Sequence, residues 1–336
     1  MKRKSSFSSN TDEYFKIEEH CITDLNSLIN LTYDLINKPR PPKKILKTLP
    51  NKLFKLIDII EPLEKLNNLI GLTNLKQQLL DQLLFFISNL DNDTIMLHTV
   101  IEGPPGTGKT TIANLMSEIY AGIGILKKKK FRVVKRENLI GQYLGETTIK
   151  TIECLNSCKN GVMLIDEAYS LGSGESGNAD SFSKECIDAL NQYLTENVDK
   201  FICIIAGYKN ELNKCFFSLN PGLKRRFPWT FTINIFNENE LSQIFIKMIN
   251  DTELWELEES IDISYLENLF NKDYFDGNGG DIENLFSKAK IIYARVTFCK
   301  ENNYILTKKI IEEAYGLFIK NKKTNISTKP PFGMYN

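Results

Sequence analysis

The sequence predicts an α/β chain, a parallel sheet with helices on both faces followed by a small all-helical domain. Three observations lead there. From Thr99 onward, short apolar or β-branched runs alternate with helical patterns, as strands and crossover helices do. One run, Val162–Ile165, is apolar without a break, which suits a central strand covered on both faces. Beyond residue 237 the alternation stops and only helical spacing remains. The chain of 336 residues allows two or three domains. Their expected bounds are 1–65 for an N-terminal extension, partly disordered then helical, 66–236 for the sheet domain, 237–320 for the helical domain and 321–336 for a flexible tail.

The elements follow in order. Residues 1–12 are polar and Ser-rich and read as disordered. Between Ile17 and Ile36 the spacing of Ile22, Leu25, Leu28, Ile29, Leu31 and Leu35 predicts a helix. Pro39, Pro41 and Pro42 end it in a basic linker with Arg40, Lys43 and Lys44. A second apolar stretch, Leu53 to Leu66, leads to Ile70-Gly71-Leu72. Asn74 to Leu90 reads as an amphipathic helix, with Leu75, Leu79, Leu83 and Ile87 four apart. The strand runs are Val100-Ile101, Phe131 to Val134, Val162 to Ile165, Phe201 to Ile205 and Phe231 to Ile235. Helical patterns at 147–158, 180–194 and 210–217 separate them, and four more, at 238–249, 263–270, 281–296 and 307–319, make the helical domain. Lys322 to Asn336 has prolines and no period, and no internal repeat is visible.

Composition narrows the function classes. The 42 basic and 42 acidic residues cancel, which argues against a protein whose main task is coating nucleic acid. No apolar run reaches the length of a membrane span, and the basic start (Met1-Lys-Arg-Lys) lacks the apolar core of a secretory signal. The seven cysteines are scattered, so reduced, buried thiols in a cytoplasmic setting are expected. With only His20 and His98 in unrelated segments, a zinc site is not expected. The basic run Lys127–Lys130, with Lys135 and Arg136, has no interleaved aromatics and reads as a solvated turn rather than a nucleic-acid surface.

The chemistry is concentrated at the first strand. Val100-Ile101 stops at Gly103, and Gly103-Pro104-Pro105-Gly106-Thr107-Gly108-Lys109-Thr110 carries G-x-x-x-x-G-K-[ST] into a helical pattern from Thr111. The glycines let successive backbone N–H groups face one concavity that suits phosphate oxygens, and the following helix adds partial positive charge. Lys109 would reach the β- and γ-phosphates, and the Thr110 hydroxyl would ligate Mg²⁺. Asp166 and Glu167 end the Val162–Ile165 run, where strands of a parallel sheet meet their ligand. Asp166 would hold Mg²⁺ directly or through water, and Glu167 could orient and deprotonate a water.

With these motifs the chain resembles an AAA+ ATPase, with Walker A at 103–110, Walker B at 162–167 and a helical lid. It is most similar to the CbbX (red-type Rubisco activase) and stage V sporulation protein K branch. The finer match rests on Leu139-Ile-Gly-Gln-Tyr-Leu-Gly-Glu-Thr-Thr148, Asp166-Glu-Ala-Tyr169, Ala206-Gly-Tyr-Lys209 and Asn220-Pro-Gly-Leu-Lys-Arg-Arg226, with Ile70-Gly71-Leu72 at the start. The resemblance implies a P-loop NTPase sheet with an AAA+ lid, ATP and Mg²⁺ as ligands, and a homo-oligomeric ring, usually a hexamer. It implies that Ile70 and Gly71 join the nucleotide pocket. Arg226, or else Arg225, would reach the next subunit's site as an arginine finger. Tyr143-Leu144-Gly145 matches the loop that lines the central pore, and Gly141 and Gly145 would let it move, whereas the plain alternative packs Tyr143 in the core. Gly172–Asp180 is a second pore loop or a surface loop. Two departures stand out: Gly207-Tyr208 replaces a polar sensor, and Gly280 and Glu283 stand where the lid motif G-N-x-R-x-x-R has arginines. The function implied is an ATP-hydrolysing ring that remodels a client protein through its pore, the client being unknown. The alternatives are a nucleotide-controlled assembly or loading factor, possibly linked to nucleic acid, and a weakly hydrolysing ATP-binding switch.

Overall fold

The computed structural model describes residues 22–37, 52–88, 96–143, 145–172, 181–198, 200–298 and 301–327. The expected disordered N-terminus, the proline linker, Leu144, most of the 172–180 loop and the end of the tail lie outside them. Two compact units form. One comprises residues 1–103 and 109–233, the other residues 104–108 and 234–336.

The first unit is built on five parallel strands: β1 (Thr99–Glu102), β2 (Phe131–Val134), β3 (Val162–Ile165), β4 (Ile202–Gly207) and β5 (Trp229–Thr232). Their order is β2-β3-β4-β1-β5, with Ile165 beside Ile205 and Ile205 beside Val100. β3 and β4 are buried along their whole length, as central strands must be when helices cover both faces. The period of two sorts their side chains between two cores. Ile101, Leu164, Ile202 and Ile204 enter one, while Val100, Met163, Ile165, Cys203 and Ile205 enter the other.

Helices α1 (Leu25–Asn37), α2 (Ile60–Asn67), α3 (Thr73–Ser88) and α4 (Lys109–Gly122) supply the first core, through Leu28, Leu63, Leu79, Leu83, Ile112 and Met116. The N-terminal helices are thus part of the body that covers one sheet face. Leu53–Ile59 forms a 3₁₀ segment ahead of α2, rather than one continuous helical stretch with it. α3 and α4 are also joined by the buried bond from Tyr120 Oη to Gln82 Oε1, 2.7 Å. Helices α5 (Glu146–Ser157) and α6 (Ser181–Glu196) supply the second core, through Leu155, Cys186, Ile187 and Leu190.

Two expectations for this unit need correcting. The last strand spans Trp229–Thr232, not Phe231 to Ile235, and Ile235 is exposed. In the observed strand Phe231 is buried and the Trp229 indole donates to Met96 O at 3.0 Å. The helix expected at 210–217 is one α turn, Lys209–Glu211, followed by a π turn, Leu212–Phe216. Gly172 is packed so closely on Cys215 that a Cβ would lie 1.8 Å from its carbonyl oxygen. Of the described cysteines, Cys154, Cys158, Cys186 and Cys203 are buried and free.

The second unit holds α7 (Glu238–Asn250), α8 (Ile263–Leu269), α9 (Gly279–Thr297) and α10 (Lys308–Ser327). It is not purely helical. β6 (Glu256–Leu257) and β7 (Ile305–Leu306) form a two-residue parallel ladder, too short to show a period in the sequence. Asn237 and Glu240 start α7 as a reciprocal capping box. Phe245, Phe270, Phe275, Phe286, Tyr315 and Phe318 form an aromatic core, with Phe275 stacked on Phe318 at 5.0 Å. α10 runs on to Ser327, past residue 320, where a flexible tail was expected to begin. Lys322 on it is ion-paired with Asp281 at 2.7 Å and with Asp276, a link that hydrophobic periodicity does not report. Among the described residues no helix is long and apolar enough to cross a membrane.

Candidate functional site

Parallel strands bring their C-terminal ends to one side of the sheet, and the candidate residues of the first unit gather there. Gly103 follows β1, and its N–H donates to Gly207 O at 3.1 Å. Only glycine fits, since a Cβ would sit 2.9 Å from both the Cβ and the carbonyl oxygen of Ile233. Lys109 begins α4, and its ammonium turns back to donate to Gly103 O at 3.0 Å, with Nζ 5.7 Å from the centre of the Tyr208 ring. Burial holds the Lys109 ammonium below the usual lysine range, and the charges of Asp166 and Glu167 work the other way. A half-buried cation is therefore within electrostatic reach of two carboxylates. Thr110 and Thr111 are exposed on the first turn of α4.

Asp166 leaves β3 with its N–H bonded to Val134 O, and its Oδ1 accepts from the Glu167 N–H at 3.1 Å. Glu167 is exposed and takes a left-handed backbone conformation, φ 52° and ψ 45°. Such geometry in a non-glycine residue points to a local constraint. It leads into a 3₁₀ turn, Ala168–Leu171, whose Tyr169 ring stacks on Tyr208 at 5.5 Å. Burial first, then the Glu167 charge, pushes the Tyr169 phenol up to about 12. The Tyr208 ring is thus in reach of both the Tyr169 ring and the Lys109 ammonium.

Residues Pro104–Gly108 belong to the second unit. Gly106 and Gly108 adopt φ of +68° and +80°, open to glycine without strain. Thr107 is buried, and its hydroxyl donates to Pro104 O at 2.9 Å. In the same unit, Asn278 Nδ2 donates to Pro105 O at 3.1 Å and Gly279 N donates to Gly106 O at 3.0 Å. Gly280 has open space where a side chain would be, and Glu283 is exposed.

The remaining candidates of the first unit lie on other elements. Gly71 and Leu72 take consecutive left-handed conformations before α3. The loop is held by Lys76, whose Nζ donates to Asn67 O and Leu69 O. Arg226 is bound to its own chain, Nε to Thr195 Oγ1 and Nη1 to Gly222 O, both 2.7 Å. Arg225 is exposed. Tyr143 is 70% exposed, so its ring does not pack in the core. Its loop is anchored more firmly than two flanking glycines suggest. Glu146 Oε2 accepts from the N–H groups of Gln142 and Tyr143, and Thr147 Oγ1 accepts from Gly141 N. A Cβ on Gly141 would meet Glu146 Cβ at 2.6 Å, so this glycine serves close packing. Gly145, at φ 87°, takes the conformation that starts α5.

Sequence reasoning missed several residues here. Glu102 is a buried carboxylate at the end of β1, tied to Lys209 Nζ at 3.0 Å and to the Thr232 hydroxyl at 2.8 Å. The signal available was an acid closing an apolar strand. Arg136, read as part of a solvated basic turn, bonds Ser170 O and Ser183 Oγ. Lys127–Lys130 are exposed, as that reading expects. Asn278 was visible as the asparagine of the lid motif, but its contact with the phosphate loop was not.

A family model described as "ATPase family associated with various cellular activities (AAA)" matches residues 99–234. The chain is 38% identical over 281 residues to a putative cfxQ-like protein of Acanthamoeba polyphaga mimivirus, covering 81% of this chain and 68% of that protein. It is 39% identical over 157 residues to stage V sporulation protein K of Bacillus subtilis, covering 47% and 48%. Among solved structures, the Thermotoga maritima RuvB Holliday junction branch migration motor superposes with a TM-score of 0.52 at 16% identity, over 74% of this chain and 70% of that one. That likeness is one of fold.

Proposed function

We propose that this chain, which belongs to the AAA family of ATPases and within it to the branch of the CfxQ-like proteins and stage V sporulation protein K, hydrolyses ATP as part of a homo-oligomeric ring and uses it to remodel a client polypeptide. The observation that carries hydrolysis is the half-buried Lys109 ammonium turned back on Gly103 O after the first strand, within electrostatic reach of the Asp166 and Glu167 carboxylates that follow the third. The residues present fit a nucleotide with Mg²⁺. Gly106 and Gly108 hold backbone conformations that suit a phosphate-binding nest. Thr110 and Asp166 offer the hard oxygen donors that Mg²⁺ prefers. When bound, Mg²⁺ neutralises charge on the phosphoryl oxygens.

The chain's own groups do the rest. Lys109 exchanges its bond to Gly103 O for phosphate oxygens, a charge-assisted contact. Glu167, exposed and fixed by its left-handed backbone, orients the attacking water and takes its proton. Tyr208, stacked on Tyr169, shields one side of the Lys109 ammonium. Arg226 or Arg225 would stabilise the transferring phosphoryl group of a neighbouring subunit, a contribution of about 10³–10⁵ in rate in comparable systems. The exposed Tyr143 ring offers a flat, amphipathic grip on a passing polypeptide.

Gly280 and Glu283 in place of arginines favour a second reading, a slowly hydrolysing nucleotide switch. One experiment separates the two: ATP turnover per subunit across a range of protein concentrations, with Glu167→Gln beside the wild type. Specific activity is expected to rise with concentration, and Glu167→Gln to bind ATP without turning it over. Negligible turnover by the wild type at every concentration, with ATP still bound, would replace the hydrolysis reading by the switch.

A further inference from the structure

Asn278 is fully buried at φ 48° and ψ −121°, a backbone conformation that side-chain-bearing residues rarely adopt. Its carboxamide is completely engaged. Nδ2 donates to Pro105 O at 3.1 Å and to Asp276 O at 3.2 Å, and Oδ1 accepts from Phe236 N at 3.1 Å. The next residue continues the pattern, with Gly279 N on Gly106 O at 3.0 Å. The two backbones touch directly. A Cβ on Gly106 would lie 2.0 Å from Gly277 O, and one on Gly279 would lie 2.8 Å from Gly106 O. The turn is braced from behind. Asp281, almost fully buried, accepts from Gly277 N at 2.7 Å and pairs with Lys322 at 2.7 Å.

A trans peptide is planar, and its C=O and N–H point in opposite directions. Holding the carbonyl of Pro105 therefore aims the N–H of Gly106, and holding the carbonyl of Gly106 aims the N–H of Thr107. We infer that Asn278 is a positioning residue of the phosphate loop: with Gly279 it fixes two consecutive peptide planes so that their N–H groups are presented to the nucleotide's phosphates. The inference rests on the nucleotide-binding reading above. It gives the strained Asn278 a task distinct from that of a lid arginine, because the groups it holds are loop carbonyls rather than phosphate oxygens.

The test uses the full chain and three variants. Asn278→Asp keeps an acceptor for Phe236 N but turns a carboxylate oxygen toward Pro105 O. Asn278→Gly removes the side-chain bonds while accepting the backbone conformation more easily than Asn does. Gly280→Ala, placed in open space, is the neighbouring control. ATP affinity by calorimetry, KM and kcat are measured, with amide exchange of residues 106 and 107 in nucleotide-free protein. Loss of one or two hydrogen bonds predicts affinity lower by about tenfold in Asn278→Asp and Asn278→Gly. KM should rise, kcat at saturation should change little, and amides 106 and 107 should exchange faster. Gly280→Ala should match the wild type. Wild-type affinity and exchange in both Asn278 variants would overturn the positioning role and leave the nucleotide reading standing. A wild type that binds no ATP would overturn both.

Discussion

Lys109 illustrates how much one residue's surroundings decide. Its ammonium is half-buried, which weakens the charged form, while Asp166 and Glu167 favour that form. Without either carboxylate the desolvated ammonium would be less stable. Its contact to Gly103 O is local and easily exchanged. Lys109→Ala is therefore expected to lower ATP affinity by roughly 10–100-fold, the size of a lost charge-assisted contact, while leaving the nucleotide-free unfolding midpoint close to the wild type's. Calorimetric titration with ATP and a thermal melt check the two halves, and unchanged ATP affinity would refute the phosphate-loop assignment. Glu102 shows the opposite case. Its carboxylate is buried, and it reaches β5 through Thr232 and the turn after β4 through Lys209. It is a structural clasp between strand ends of the sheet, and the sequence showed only an acid at a strand end.

The loop before α5 is the element whose behaviour separates the functional readings. Two glycines around an aromatic suggest freedom, but Gly141 is pressed against Glu146 and the Glu146 carboxylate holds two loop N–H groups. The loop is thus pre-shaped, with the Tyr143 ring held outward rather than sampling the core. Pre-shaping lowers the entropy lost when a polypeptide is gripped. Tyr143→Ala should leave basal ATP turnover and thermal stability unchanged, because the ring contributes little buried area. It should abolish stimulation of turnover by an unfolded model polypeptide, and Tyr143→Phe should retain it. Stimulation intact in the alanine variant would count against a gripping role. Strands and helices were legible to within a few residues wherever period and burial agreed, as at Val162–Ile165 and Glu238–Asn250. The last strand was misplaced: it begins two residues earlier, at Trp229, whose indole reaches Met96 O. The two-residue ladder of β6 and β7 left no pattern to read.

At the scale of the whole chain, the sequence carried the sheet, its motif-bearing strand ends and the helical unit after it. It did not carry the long-range contacts, because Asn278 on Pro105 and Lys322 on Asp281 join residues whose partners lie far along the chain. His98 belongs to this class too. It lies just before β1, buried between the Phe201 and Phe227 rings, with Nδ1 accepting from Cys203 N at 3.1 Å. Burial pushes its pKa down to about 4. The folded state therefore keeps the imidazole neutral, while an unfolded chain takes up a proton near the ordinary histidine value of about 6.5. Between those two values the unfolded state binds more protons, so stability rises with pH, and acidification from about 6.5 toward 4 removes about 3 kcal/mol. Asn at this position can present an acceptor to Cys203 N but cannot titrate. Denaturant unfolding of the sheet unit, followed from pH 7 to pH 4.5, is expected to show a steeper loss of stability in the wild type than in His98→Asn. Parallel pH profiles would mean that the acid sensitivity belongs to other groups and that His98 is protonated as easily in the fold as outside it.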